Sequence, residues 1–186
     1  MKIGIFLLVM IVTGAGLVQA DNRNSVFVGA GFAKPENIDT TFYVTAGGRW
    51  EFAEHWAIDP DFGYWRANAV ERQCPGPGCA VYDLRDVHAG ASLVYVGAYR
   101  RVDIFVGGGA AAHFRKRIAN LPPGSDKTAP EPSETRLGLH ILSGVDVPLS
   151  RAFGLTFGVR ANFIQRDEPL ENQFVLTGHG GIRFYF

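Results

Sequence analysis

Ile182-Arg183-Phe184-Tyr185-Phe186 ends the chain, and its alternation decides the fold. Successive side chains of a strand point to opposite faces, so Ile182, Phe184 and Phe186 share one face while Arg183 and Tyr185 share the other. Working back, Phe174 and Leu176 continue the first face, and Thr177, His179 and Gly181 continue the second. An apolar face that ends in an aromatic suits hydrocarbon and its interface, whereas a polar face with small residues suits the inside of a closed transmembrane barrel.

The other end of the chain carries an export signal. Met1 and Lys2 form a short positive region, Ile3 to Val18 is apolar, and Val18-Gln19-Ala20 supplies small residues at −3 and −1. This pattern predicts a signal peptide over residues 1–20, cleaved after Ala20. The alternative, an uncleaved anchor, needs about 20 apolar residues, and the run is short for it. Residues 21–186 then form one domain. Without Lys2 the 18 basic residues become 17 against 18 acidic ones, a balance that gives nucleic acid no cationic surface to bind. The mature chain has no apolar run long enough for a membrane helix, so it can enter a membrane only as a closed barrel whose backbone groups pair between strands. Both ends of the sequence thus point to the bacterial outer membrane.

The alternation extends through eight segments, near residues 25–32, 41–50, 56–67, 82–95, 102–115, 136–147, 154–164 and 173–186. The expected fold is all-β, an eight-stranded antiparallel up-and-down transmembrane barrel. Short breaks at 52–55, 97–101 and 148–152 read as periplasmic turns, and the long breaks at 68–81 and 116–135 as extracellular loops. Arg49, Asp59, Asp61, Asp86, His88, His113, His140, Arg160, His179 and Arg183 all fall on the faces that also carry glycine, which predicts a narrow polar lumen. A soluble, lipocalin-like barrel would reverse the two faces. Pro60 lies inside the third segment, where a missing N–H predicts a local bulge. A hairpin centred near residue 54 sets Arg49 opposite Asp59 and predicts a salt bridge between them.

The eight-strand layout, the glycine-rich fifth strand Phe105-Val106-Gly107-Gly108-Gly109-Ala110 and the aromatic C-terminus together resemble the small outer-membrane barrels related to the transmembrane domain of outer-membrane protein A and to OmpX. The resemblance covers residues 21–186. It implies fold and compartment, insertion by the barrel assembly machinery, and activities that range from structural to adhesive and, in a few members, lipid-modifying.

Cys74 and Cys79, in Cys74-Pro75-Gly76-Pro77-Gly78-Cys79, lie in an exported chain whose Pro-Gly repeats can fold sharply, so a disulfide at a loop tip is expected. The inward histidines allow two readings. They could join inward carboxylates and Ser92 in a hydrolase or metal site, or they could belong to a buried network that plugs the lumen. The lipid A deacylases carry a His-x-Ser pair on one strand; here His88, His113, His140 and His179 are followed two residues on by Gly90, Arg115, Leu142 and Gly181. The palmitoyltransferase of this membrane uses loop groups, and these loops contain no histidine. No catalytic residue, metal or cofactor is therefore assigned, and an eight-stranded interior is too narrow for a pore. Arg115-Lys116-Arg117, at the top of the fifth strand, is either a contact for lipopolysaccharide phosphates or a solvated strand end. The expected function is that of a monomeric structural or surface-interaction barrel with an unspecified extracellular ligand, the alternative being a lipid-modifying or lipid-binding barrel that uses the inward histidines.

Overall fold

The computed structural model describes residues 24–36, 38–70, 81–120, 133–165 and 173–186. Eight strands follow one another: β1 (Ser25–Pro35), β2 (Thr41–Ala53), β3 (Trp56–Val70), β4 (Val81–Tyr99), β5 (Val102–Asn120), β6 (Glu134–Pro148), β7 (Phe153–Ile164) and β8 (Gln173–Tyr185). Each pairs antiparallel with the next, and β8 returns to β1 from Ser25↔Tyr185 to Pro35↔Val175, so the sheet closes and has no free edge. The leader expected over 1–20 and the cysteines Cys74 and Cys79 lie outside the described residues.

The hairpin of β4 and β5 is longer than the sequence pattern suggests. Its ladder runs from Val81↔Asn120 to Tyr99↔Val102, leaving Arg100 and Arg101 as the turn. The expected break at 97–101 shrinks because Arg100 adopts φ 59°, a left-handed conformation that reverses the chain tightly. His55 does the same at φ 68° between β2 and β3.

Pro60 corrects another expectation, because no bulge forms there. The β3–β4 ladder passes through Pro60↔Ala91 without interruption. On the β2 side the pairs stop at Gly47↔Asp61 and resume at Trp50↔Ile58 in the same register. The missing N–H thus opens the ladder locally instead of adding a residue. The irregularity lies nearer the turn, between Glu51 and Ala53.

Burial is the reverse of that in a water-soluble barrel. Phe42, Leu137 and Leu139 are 67%, 69% and 68% exposed on the outer wall, while Arg49, Asp86, His88 and Arg183 are buried inside. The inner wall changes character along the axis. At the end where β1 stops and β2 begins, Ala33, Tyr43, Trp65, Ala67, Leu84, Ile164 and Val175 form an apolar cluster with Ile38 packed against it. Toward the short turns the inner wall becomes charged.

Candidate functional site

The lumen is built in tiers, each set by inward positions on neighbouring rungs. Nearest the short turns, Arg49 lies where the register of the β2–β3 hairpin places it, opposite Asp59. Its Nε and Nη2 donate to the two Asp59 oxygens at 2.9 and 2.7 Å. Nη1 reaches across the lumen to Asp146 at 2.7 Å. The second Asp146 oxygen accepts from Arg183 Nε at 3.0 Å, and Arg183 Nη1 donates to Ser25 Oγ at 2.8 Å. Aromatic faces complete the tier, with Arg49 4.5 Å from the Phe105 ring centre and Arg183 5.0 Å from that of Phe27. Forked guanidinium–carboxylate pairs of this kind satisfy several buried groups at once.

In the middle tier Asp61 accepts from Arg160 and, at 3.1 Å, from His88 Nε2. The His88 ring fits because residue 63, directly opposite it, is glycine; a Cβ there would lie 2.3 Å from His88 Cε1. His140 and Ser92 come from strands that are not neighbours, yet both are opposite Gly109 of the strand between them. A Cβ on Gly109 would stand 2.0 Å from the Ala91 carbonyl oxygen and 2.7 Å from Ser92 Cα. The glycine run of β5 therefore lets backbones and small groups approach, and Ser92 Oγ lies 2.7 Å from His140 Nε2. His179 stacks on Phe27 with ring centres 5.6 Å apart.

The Ser92–His140 pair has the spacing of a nucleophile and its base, but its third member has the wrong polarity. Arg160 Nη2 lies 2.7 Å from Nδ1 and 3.0 Å from Nε2 of His140. A guanidinium only donates, and a neutral imidazole has a single nitrogen lone pair, a protonated one none. Once Arg160 occupies that lone pair, nothing remains to take a proton from Ser92. A carboxylate in place of Arg160 would leave the acceptor where acyl-transfer chemistry needs it.

The tier nearest the apolar cluster holds Asp86, which accepts from Arg115 Nε at 2.6 Å and from His113 Nδ1 at 3.0 Å. Arg115 is thereby corrected: it is buried in the lumen and does not face lipopolysaccharide, because residues adjacent in a strand alternate faces. Lys116, the next residue, is exposed. Asp86, His88 and His113 each present a ligand atom within 4.8 Å of the others, and His113 Nε2 has no partner among the described residues. A cation there would lie beside the Arg115 guanidinium, which already donates to the same Asp86. The lumen ion pairs already join Arg49, Arg115, Arg160 and Arg183 to Asp59, Asp61, Asp86 and Asp146. The donor set suits a closed ionic network better than a metal centre.

No protein-family model matches the sequence, and no curated protein matches it. Solved structures do match. Neisserial surface protein A is 20% identical over 88% of this chain and 97% of its own, with a TM-score of 0.64. A major outer membrane protein from Thermus thermophilus is 14% identical over 90% of this chain and 100% of its own, with a TM-score of 0.66. Ail, the attachment invasion locus protein of Yersinia pestis, solved with the heparin analogue sucrose octasulfate, is 16% identical over 90% of this chain and 100% of its own, with a TM-score of 0.60. At such identities the likeness establishes a fold shared with small eight-stranded outer-membrane barrels.

Proposed function

We propose that this protein is an integral barrel of the bacterial outer membrane whose lumen is closed and whose work, structural or in surface interaction, is done at the end from which the long connections leave. The observation that carries this reading is the pairing of opposite environments. An outer wall of exposed Phe, Leu and Val surrounds charges that are buried and mutually bonded, an arrangement that is favourable only when the surrounding solvent is hydrocarbon. The interior cavity bounded by Phe27, Tyr43, Asp61, Arg160 and His179 amounts to about 40 Å³. That is room for a few water molecules but not for a solute stream.

The connections between β3 and β4 and between β5 and β6 leave from the end with the apolar cluster, beyond both the lumen charges and the outer apolar belt. A barrel of the same fold bears the name of an attachment and invasion protein, which supports an interaction role without specifying a ligand. An epitope inserted between residues 121 and 132 should be labelled by antibody on intact cells. Labelling only after the outer membrane is permeabilised would reverse the assigned sides, and recovery of the chain in the soluble fraction would remove the membrane reading. In planar bilayers the intact barrel should give no steady conductance steps.

A further inference from the structure

The register aligns three cations that the lumen does not use. Arg66 of β3 is opposite Arg85 of β4, and Arg85 is opposite Lys116 of β5. All three occupy outward positions, with Arg66 and Lys116 exposed and Arg85 half-buried. They stand side by side on the outer wall, separated by inter-strand steps of about 5 Å. One outward step nearer the turns, the same three strands present Tyr64, Val87 and Phe114. The cations therefore lie about 7 Å beyond the start of the apolar belt, where hydrocarbon gives way to headgroups and long basic side chains extend toward polar groups. Arg66 and Arg85 also engage groups within the chain, which helps to hold them in place. An anion that spans the row meets three positive charges on one face.

We propose that Arg66, Arg85 and Lys116 bind the phosphates of an anionic glycolipid in the membrane leaflet at the long-connection end. Guanidiniums match phosphate oxygens in a fork, and the ammonium adds a compact charge beside them. The inference rests on the outer-membrane reading and deepens it by naming a lipid partner. The full chain, inserted into phosphatidylcholine vesicles, is titrated with diphosphoryl lipid A and with lipid A stripped of both phosphates. A basic residue near an anionic surface adds about fivefold in affinity, so the R66Q/R85Q/K116Q variant should bind the diphosphoryl form on the order of a hundredfold more weakly than the wild type. Both proteins should bind the stripped lipid equally. Should that variant fail to insert, R66K/R85K/K116R, which keeps the charges, should retain the preference for phosphate. Equal binding of the two lipids by the wild type, or wild-type affinity in the neutralised variant, overturns the site. A wild type that inserts into no vesicle overturns the membrane reading, and the site with it.

Discussion

The two halves of the lumen solve the same problem with different chemistry. Near the short turns, Arg49 forks onto Asp59 and also bonds Asp146, which accepts a further bond from Arg183, all at 2.7–3.0 Å. Farther along, His88 bonds Asp61, His113 bonds Asp86 and His140 meets Ser92 and Arg160, and His113 Nε2 has no partner among the described residues. The difference lies in where stability resides. The forked cluster concentrates its bonds on one guanidinium, Arg49, which joins β2 to β3 and β6, whereas the histidine tier spreads imidazole contacts over several strands and leaves one ring nitrogen without a partner among the described residues.

Breaking the forked cluster should have the largest effect. Arg49→Met leaves Asp59 without its partner and Asp146 with one bond fewer, at a cost of about 3–5 kcal/mol. Arg49→Met with Asp59→Leu should cost much less, which urea unfolding of the four proteins in micelles would read as a coupling energy. Additive losses would mean that the two residues act separately. In the histidine tier, Gly63→Ala forces the His88 ring aside and should cost roughly 1–3 kcal/mol. His88→Ala in the same chain should recover most of that loss, and a failure to recover would place the strain at Tyr43, whose hydroxyl oxygen would lie 2.7 Å from the same Cβ. Ser92→Ala removes one bond to His140 and should cost about 1 kcal/mol, leaving heat-modifiable migration on gels unchanged. At the rim, Arg136 pairs with a half-exposed Glu134, so Arg136→Gln should change stability by less than about 1 kcal/mol. A larger change would extend the forked cluster's behaviour to the mouth.

What the sequence makes legible follows from range. Faces are readable because a strand alternates by two and the inside and outside of this barrel differ in polarity, so every inward histidine could be assigned before any contact was known. Arg49 and Asp59 were readable as partners because a tight turn fixes their register. Arg49 with Asp146, Arg160 with Asp61, and Ser92 with His140 join strands that are not neighbours, and those meetings depend on how the sheet tilts and curls as it closes. The outward row was hidden differently: Arg66, Arg85 and Lys116 lie on consecutive strands but are far apart in sequence, and they become neighbours only through ladder register. Arg115 and Lys116 mislead in the opposite way, because contiguity suggests one patch where alternation divides it. Trp65 was obscured by aromatics on both faces, Tyr64 outward and Trp65 inward, which leave no contrast to read.

The seam between β1 and β8 has a consequence for the chain as a whole. Every other ladder joins consecutive strands, whereas this one joins the first to the last, and Phe186 N donates to the Asn24 carbonyl at 3.0 Å. Residues 24–186 are therefore a ring in all but one covalent link, and the position of the break is arbitrary as far as the wall is concerned. A circularly permuted chain, with 186 joined to 24 by a short linker and new ends opened between Arg100 and Arg101, would keep all eight ladders and exchange only which hairpin is left without its turn.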